Sequence, residues 1–188
     1  MSLRVVVGPM FAGKTSEIQS VVRRYTCLGR QVLVLTADID NRYQQEVTAI
    51  VNHDQTAVPA RGVPVDGLAD VVYWNEFASA TAIVVDEAQF FRGGCLVPFV
   101  RDAVEIHGKH VVVVGLDGDA NRVPFGDVLQ LIPLADSVEK KTALCRACGD
   151  GTPAIFTRAR DPNAHTQQVE VGGAERYEPV CRRHYHHA

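Results

Sequence analysis

A short glycine-containing segment near the start of the chain narrows the fold more than any other feature. Gly8-Pro9-Met10-Phe11-Ala12-Gly13-Lys14-Thr15 satisfies G-x-x-x-x-G-K-[ST] at every fixed position. Glycines let the backbone curl until its N–H groups converge on phosphate oxygens, and the helix that follows directs its positive end at the same anion. In this arrangement Lys14 pairs with the β and γ phosphates of a nucleoside triphosphate, and the Thr15 hydroxyl ligates Mg²⁺. The same pattern arises by chance in glycine-containing turns, so its surroundings decide. Residues 4–7 (RVVV) form a β-branched run ahead of the loop, residues 16–28 have helix-compatible spacing behind it, and Gly29 is a C-terminal helix stop. Strand, loop and helix in that order are the context the motif requires.

The alternation continues along the chain. Residues 31–36 (QVLVLT), 81–85 (TAIVV) and 110–115 (HVVVVG) are short Val-rich runs of strand length, suited to burial on both faces of a sheet. Residues 46–51 suggest a further short strand, 37–43 and 52–61 loops, and 66–80 and 94–107 helices. Strands alternating with helices predict an α/β fold, a parallel sheet of the phosphate-loop NTPase type flanked by helices. Beyond Asp136, cysteines, glycines and short alternating segments replace this rhythm. We therefore expect an ATP-binding domain over 1–139 and a small module over 140–188.

Two further constellations carry chemistry. Ile83-Val84-Val85 ends in Asp86-Glu87. An aspartate at the end of an apolar strand supports Mg²⁺ in phosphate-loop proteins. Adjacent residues at a strand end point different ways, which frees Glu87 to accept a proton from an attacking hydroxyl. Without the phosphate loop the pair would read as two solvated carboxylates. Cys145-Arg146-Ala147-Cys148 and Cys181-Arg182-Arg183-His184 offer three thiolates and one imidazole, a closed tetrahedral zinc set with no open position for catalysis. Its role is to staple the ends of a long loop that has little core of its own. Cys27 and Cys95 lack such spacing and read as small buried hydrophobes.

Composition removes several classes of function. The net charge of −3 and the lack of a long Lys/Arg run argue against a nucleic-acid partner. No apolar stretch reaches membrane-spanning length, so no membrane partner is expected. The opening Met1-Ser2-Leu3-Arg4 leads straight into a strand and leaves no room for a signal peptide. The expected home is the cytoplasm.

Together these segments resemble the thymidine kinase family of the zinc-containing cellular type. The resemblance rests on GPMFAGKTSEI at 8–18, DEAQFF at 86–91, GLDGDANRVPFG at 115–126, LADSVEKKTALCRACG at 134–149 and VGGAERYEPVCRRHY at 171–185. It implies ATP-dependent phosphorylation of the 5′-hydroxyl of thymidine or a similar deoxynucleoside, with Glu87 as general base. It implies an apolar nucleoside pocket from Met10, Phe90, Leu116, Phe125 and Tyr177, with Thr157 lining it. Backbone groups at Val171 and Gly172, in a lasso closing over the nucleoside, would read the pyrimidine edge. Asp40-Asn41-Arg42-Tyr43 matches a family segment that puts Arg42 near the phosphates. Homotetramers are common in the family. One position departs from it: Ala120 stands where the family usually carries an aromatic residue, which leaves nucleoside preference open. Two other readings remain from the residues alone, a phosphate-loop ATPase or GTPase switch or motor with no small-molecule acceptor and a non-enzymatic zinc module that binds nucleic acid.

Overall fold

The computed structural model describes residues 1–39, 47–51, 57–161 and 175–186, the segment 47–51 by its backbone alone. A seven-stranded sheet organises it. Its strands are β1 (Ser2–Val7), β2 (Val32–Asp38), β3 (Val47–Val51), β4 (Ala57–Pro64), β5 (Ala82–Asp86), β6 (His110–Gly115) and β7 (Ser137–Lys140). They lie in the order β3-β4-β2-β5-β6-β1-β7. Every neighbouring pair is parallel except β3 with β4, which form an antiparallel ladder at one edge.

The continuous apolar runs are explained by burial on both faces. Val5 and Val7 of β1, Ile83 and Val85 of β5, and Val111 and Val113 of β6 enter one core. Val6, Val84, Val112 and Val114, between them in sequence, enter the other. This is the period of two that a strand imposes. Helix α1 (Lys14–Cys27) covers the second core with Ile18 and Val21. Helices α2 (Asn75–Ser79) and α3 (Leu96–Glu105) cover the first, α3 through Leu96, Phe99, Val100 and Ala103.

The structure departs from several sequence-based expectations. Residues 57–61 are not loop but the first part of β4, whose Val58 and Ala60 are buried between exposed Ala57 and Pro59. The expected helix over 66–80 is a 3₁₀ turn, Leu68–Tyr73, and then the short α2, separated by Trp74 in an extended conformation (ψ 143°). Cys27 is exposed rather than buried, because α1 turns Ile18 and Val21 inward and leaves its last turn in solvent. The main sheet also runs further than the alternation predicts: β7 reaches Lys140.

After β7 come two small ladders and a short helix: β8 (Ala143–Leu144) with β9 (Pro153–Ala154), β10 (Phe156–Ala159) with β11 (Tyr177–Val180), and α4 (Arg182–His186). They share a separate cluster of Ala143, Cys145, Ala154, Val180 and Cys181. Ala12 of the phosphate loop packs against that cluster. Among the described residues no helix is long and apolar enough to cross a membrane.

Candidate active site

Parallel strands bring the loops after β1, β5 and β6 to one edge of the sheet, where open α/β folds bind their ligands. The loop after β1 is the glycine segment. Gly8 is buried and its φ is +152°; a Cβ there would come within 2.5 Å of the Lys141 carbonyl oxygen, just past the end of β7. Gly13 adopts φ +73° and caps α1, which begins at Lys14, two residues earlier than the helical spacing suggests. A helix that starts here, with no side-chain cap, leaves the N–H groups of its first turn for an anion held by the loop. Lys14 curls back over the loop, donating to the carbonyls of Gly8 (3.2 Å) and Pro9 (2.7 Å). Burial lowers its affinity for the proton, while the charges of Glu87, Asp86 and Asp117 oppose that shift. Those carboxylates therefore share the mouth of the loop with the lysine.

The loop after β5 carries the acidic pair. Asp86 is 7% exposed. Burial is the largest cause that raises its pKa to about 7, and the negative charge of Glu87 adds to it; the Glu87 N–H and Lys14 act the other way. Glu87 has φ +50°, unusual for a residue with a side chain. Two hydrogen bonds hold this turn: Glu87 N–H to Asp86 Oδ1 (2.8 Å) and Phe90 N–H to the Glu87 carbonyl (3.0 Å). The Glu87 side chain is fixed in turn, because Oε2 accepts from Gln89 Nε2 at 2.5 Å.

The loop after β6 folds against this turn. Leu116 N–H donates to Gln89 Oε1 at 2.9 Å. Phe90 and Phe125 meet edge to face, with ring centroids 5.3 Å apart and planes at 84°. Asp119 shapes the loop between them, its Oδ1 accepting the N–H groups of Asn121 (2.8 Å) and Val123 (2.9 Å). Asp117 pairs with Lys140 at 2.6 Å. Phe90, Leu116 and Phe125 are thus brought together beside Glu87.

The small module reaches the same mouth. Met10 N–H donates to the buried Thr157 hydroxyl on β10 at 3.0 Å. Tyr177 is buried on β11, opposite Ala159. The Ala120 carbonyl accepts the Tyr185 hydroxyl at 2.9 Å, and the Arg122 guanidinium stacks 4.1 Å above the Tyr185 ring. Arg42, Val171 and Gly172, with the rest of the expected lasso, lie outside the described residues.

Cys145, Cys148, Cys181 and His184 converge, each with one ligand atom, all within 4.8 Å of one another. Sulfur to His184 Nδ1 distances are 3.7, 3.2 and 3.5 Å, and Cys148 Sγ to Cys181 Sγ is 3.8 Å. A tetrahedral site with metal–sulfur bonds near 2.3 Å and metal–nitrogen bonds near 2.05 Å has edges of about 3.8 and 3.6 Å. The set fits such an ion. Its protons tell the same story. Burial opposes ionisation of Cys145, but the Cys181 N–H and donors from Cys148 and His184 bring its thiol down to about 6. At Cys148 the Thr152 hydroxyl favours the thiolate, yet desolvation and the neighbouring sulfurs push it up to about 11. Negative charge on Cys145 thus discourages it on Cys148, and a dication held between the ligands would favour both thiolates.

A family model described as thymidine kinase matches residues 1–185. The chain belongs to the thymidine kinase family. It is 42% identical over 185 residues to a thymidine kinase of Oryza sativa subsp. japonica, covering 97% of this chain and 65% of that protein. It is 38% identical to thymidine kinase a of Arabidopsis thaliana, covering 98% of this chain and 74% of the relative. It is also 38% identical to the human cytosolic thymidine kinase, covering 96% and 71%. Against the rice relative, therefore, the chain spans just under two thirds of the other protein's length.

Sequence reasoning missed three members of the site. Gln89 gave no signal beyond being one amide inside DEAQFF, yet it is 2% exposed and joins two loops. Asp117 and Lys140 belong to no motif of their own, and their ion pair depends on β6 and β7 flanking β1.

Proposed function

We propose that the chain transfers the γ-phosphoryl group of ATP to the 5′-hydroxyl of thymidine or a closely similar deoxynucleoside. The observation that carries this reading is the shared mouth: the phosphate-loop lysine lies within electrostatic reach of both Asp86 and Glu87. The triphosphate rests on loop 8–15, where backbone N–H groups and Lys14 oppose its charge. Glu87 takes the hydroxyl proton, the nucleoside oxygen bonds to the γ-phosphorus, and the bond to the β–γ bridging oxygen breaks to leave ADP. Magnesium, held by the Thr15 hydroxyl and supported by Asp86, supplies charge neutralisation at the phosphates when bound. Most of the acceleration is positioning and fixed electrostatics, because this chemistry asks little covalent work of a protein.

In the same reading Met10, Phe90, Leu116, Phe125, Thr157 and Tyr177 line the nucleoside site. Val171 and Gly172 contact the base edge, and Arg42 approaches the phosphates. Zinc occupies Cys145, Cys148, Cys181 and His184 in a structural role, within a module spanning 140–188 that follows a kinase domain spanning 1–139. The expected setting is the cytoplasm, as a homotetramer. These assignments draw support from the family membership and from the loops converging at one sheet edge.

The deciding experiment pairs a thymidine-dependent ADP assay with Glu87→Gln. The substitution keeps size and removes basicity. It should lower kcat by about two to four orders of magnitude, with ATP binding retained. ADP production that ignores thymidine would favour a phosphate-loop switch instead. A folded variant with undiminished kcat would remove Glu87 from the chemistry.

A further inference from the structure

Both polar ends of the Gln89 side chain are used. It is 2% exposed in the 3₁₀ turn Ala88–Phe90. Nε2 donates to Glu87 Oε2 at 2.5 Å and Oε1 accepts from Leu116 N–H at 2.9 Å. A buried amide of this kind is costly unless both ends are satisfied. Two glycines give it its berth. A Cβ at Gly115 would stand 2.7 Å from Gln89 Oε1, and one at Gly126 would stand 2.4 Å from the Gln89 carbonyl oxygen. Gly126 also adopts φ +61°. The loops after β5 and β6 are therefore shaped around this one residue.

From this we infer that Gln89 is a positioning residue for Glu87, fixing one carboxylate oxygen so that the other faces the acceptor hydroxyl. The inference rests on the proton-accepting role given to Glu87 above. The backbone at Glu87 is held in a left-handed turn, so its side chain leaves the strand end in a direction that no regular strand would give. A carboxylate at the end of a free Glu side chain samples several rotamers. Tying Oε2 to an amide anchored on Leu116 N–H removes that freedom. An amide suits the task better than a charged partner: Arg or Lys would hold the carboxylate as an ion pair, whereas a neutral donor leaves Oε1 able to take a proton. The same amide sets the Leu116 backbone, so the base and one wall of the nucleoside site share a single anchor.

The test is a double-variant cycle on the full chain, using Glu87→Gln, Gln89→Met and the two together, with kcat and both KM values measured. Gln89→Met keeps length and apolar volume and deletes both hydrogen bonds. It should lower kcat by about 10- to 100-fold, the scale of an ångström-level misplacement of a reacting group, with KM for ATP unchanged. On top of Glu87→Gln it should change kcat by less than about threefold, because a residue acting through Glu87 has nothing left to position. Should Gln89→Met fail to fold, Gln89→Glu keeps the acceptor for Leu116 N–H and sets a second carboxylate against Glu87 in place of the amide donor, and the same non-additivity is required of it. Full multiplication of the two losses, or an undiminished kcat in a folded Gln89 variant, would overturn the inference. The outcomes separate from the reading beneath it: a Glu87→Gln variant with normal kcat defeats the base assignment, whereas a crippled Glu87→Gln with an additive Gln89 effect defeats only the positioning role.

Discussion

The first glycine of the phosphate loop offers the most quantitative test of the fold. Gly8 combines a positive φ (+152°) with a backbone neighbour that leaves no space: an added Cβ would lie 2.5 Å from the Lys141 carbonyl oxygen and 3.2 Å from its carbonyl carbon. Carbon–oxygen contacts normally fall near 3.3–3.6 Å, so Gly8→Ala asks for a backbone shift of about 1 Å. Lys141 resists it. Its N–H donates to the Val7 carbonyl at 2.8 Å, and its ammonium bonds Glu17 and Glu139, both at 2.9 Å. Arg4 bonds the same two carboxylates and closes the ring. Overpacking of this kind costs about 1–3 kcal/mol, and the backbone conformation adds about 1–3 kcal/mol for a residue with a side chain. The sum, about 2–6 kcal/mol, corresponds to a fall in Tm of about 4–24 °C for a chain of this length. Gly29→Ala is the internal control, since Gly29 also has positive φ (+66°) but an added Cβ meets nothing within 4 Å. Thermal unfolding of both variants by circular dichroism decides the matter. If Gly8→Ala melts no lower than Gly29→Ala, close approach to Lys141 is not what demands glycine at the head of the loop.

Other predictions follow from the charged and sulfur groups. Purified protein should contain about one zinc per chain, and Cys148→Ser should lower both that content and Tm; zinc-free native protein would refute the assignment. Asp86 binds its proton more tightly folded than unfolded, so the stability it contributes is complete below about pH 4 and is lost as pH rises through about 7. Asp86→Asn, which can still accept the Glu87 N–H, should therefore gain in Tm relative to the parent between pH 5 and pH 8 when both are melted without ligands. A Tm difference that does not change with pH would show that burial is not setting the Asp86 proton.

Much of this architecture was legible because its signals are local. The strands β1, β2, β5 and β6 are each built around a continuous apolar run, and burial on both faces favours Val, Ile and Leu along that run. The phosphate loop and the Cys and His spacing are likewise contiguous patterns. What escaped depends on partners distant in sequence. Strand β4 contains Pro59, Gly62 and Pro64, residues that weaken a strand signal, and holds its place by pairing on both sides, with β2 and β3. Strand β7 is largely exposed and exists because β1 offers it an edge. Gln89 finds Leu116 only after the β5 and β6 ends have been brought side by side.

The same dependence explains why the metal-ligand module is more than an appendage to the sheet. A Cys and His cluster could have been a self-contained knot, touching the rest through one linker. Here its contacts fall on the working loops. Thr157 takes the Met10 N–H and Ala12 packs on the module's core, both within the phosphate loop. Tyr185 holds the Ala120 carbonyl, and Arg122 lies over the Tyr185 ring, both within the loop after β6. Lys141, at the entry to the module, sets the space allowed to Gly8. Tyr185 sits beside His184 on α4, a helix of five residues that is too short to be stable by itself. What orders α4 must come from the cluster of sulfurs and the packing around it. Order in the Cys and His cluster therefore reaches both loops by short, named contacts, and the module serves as their shared support.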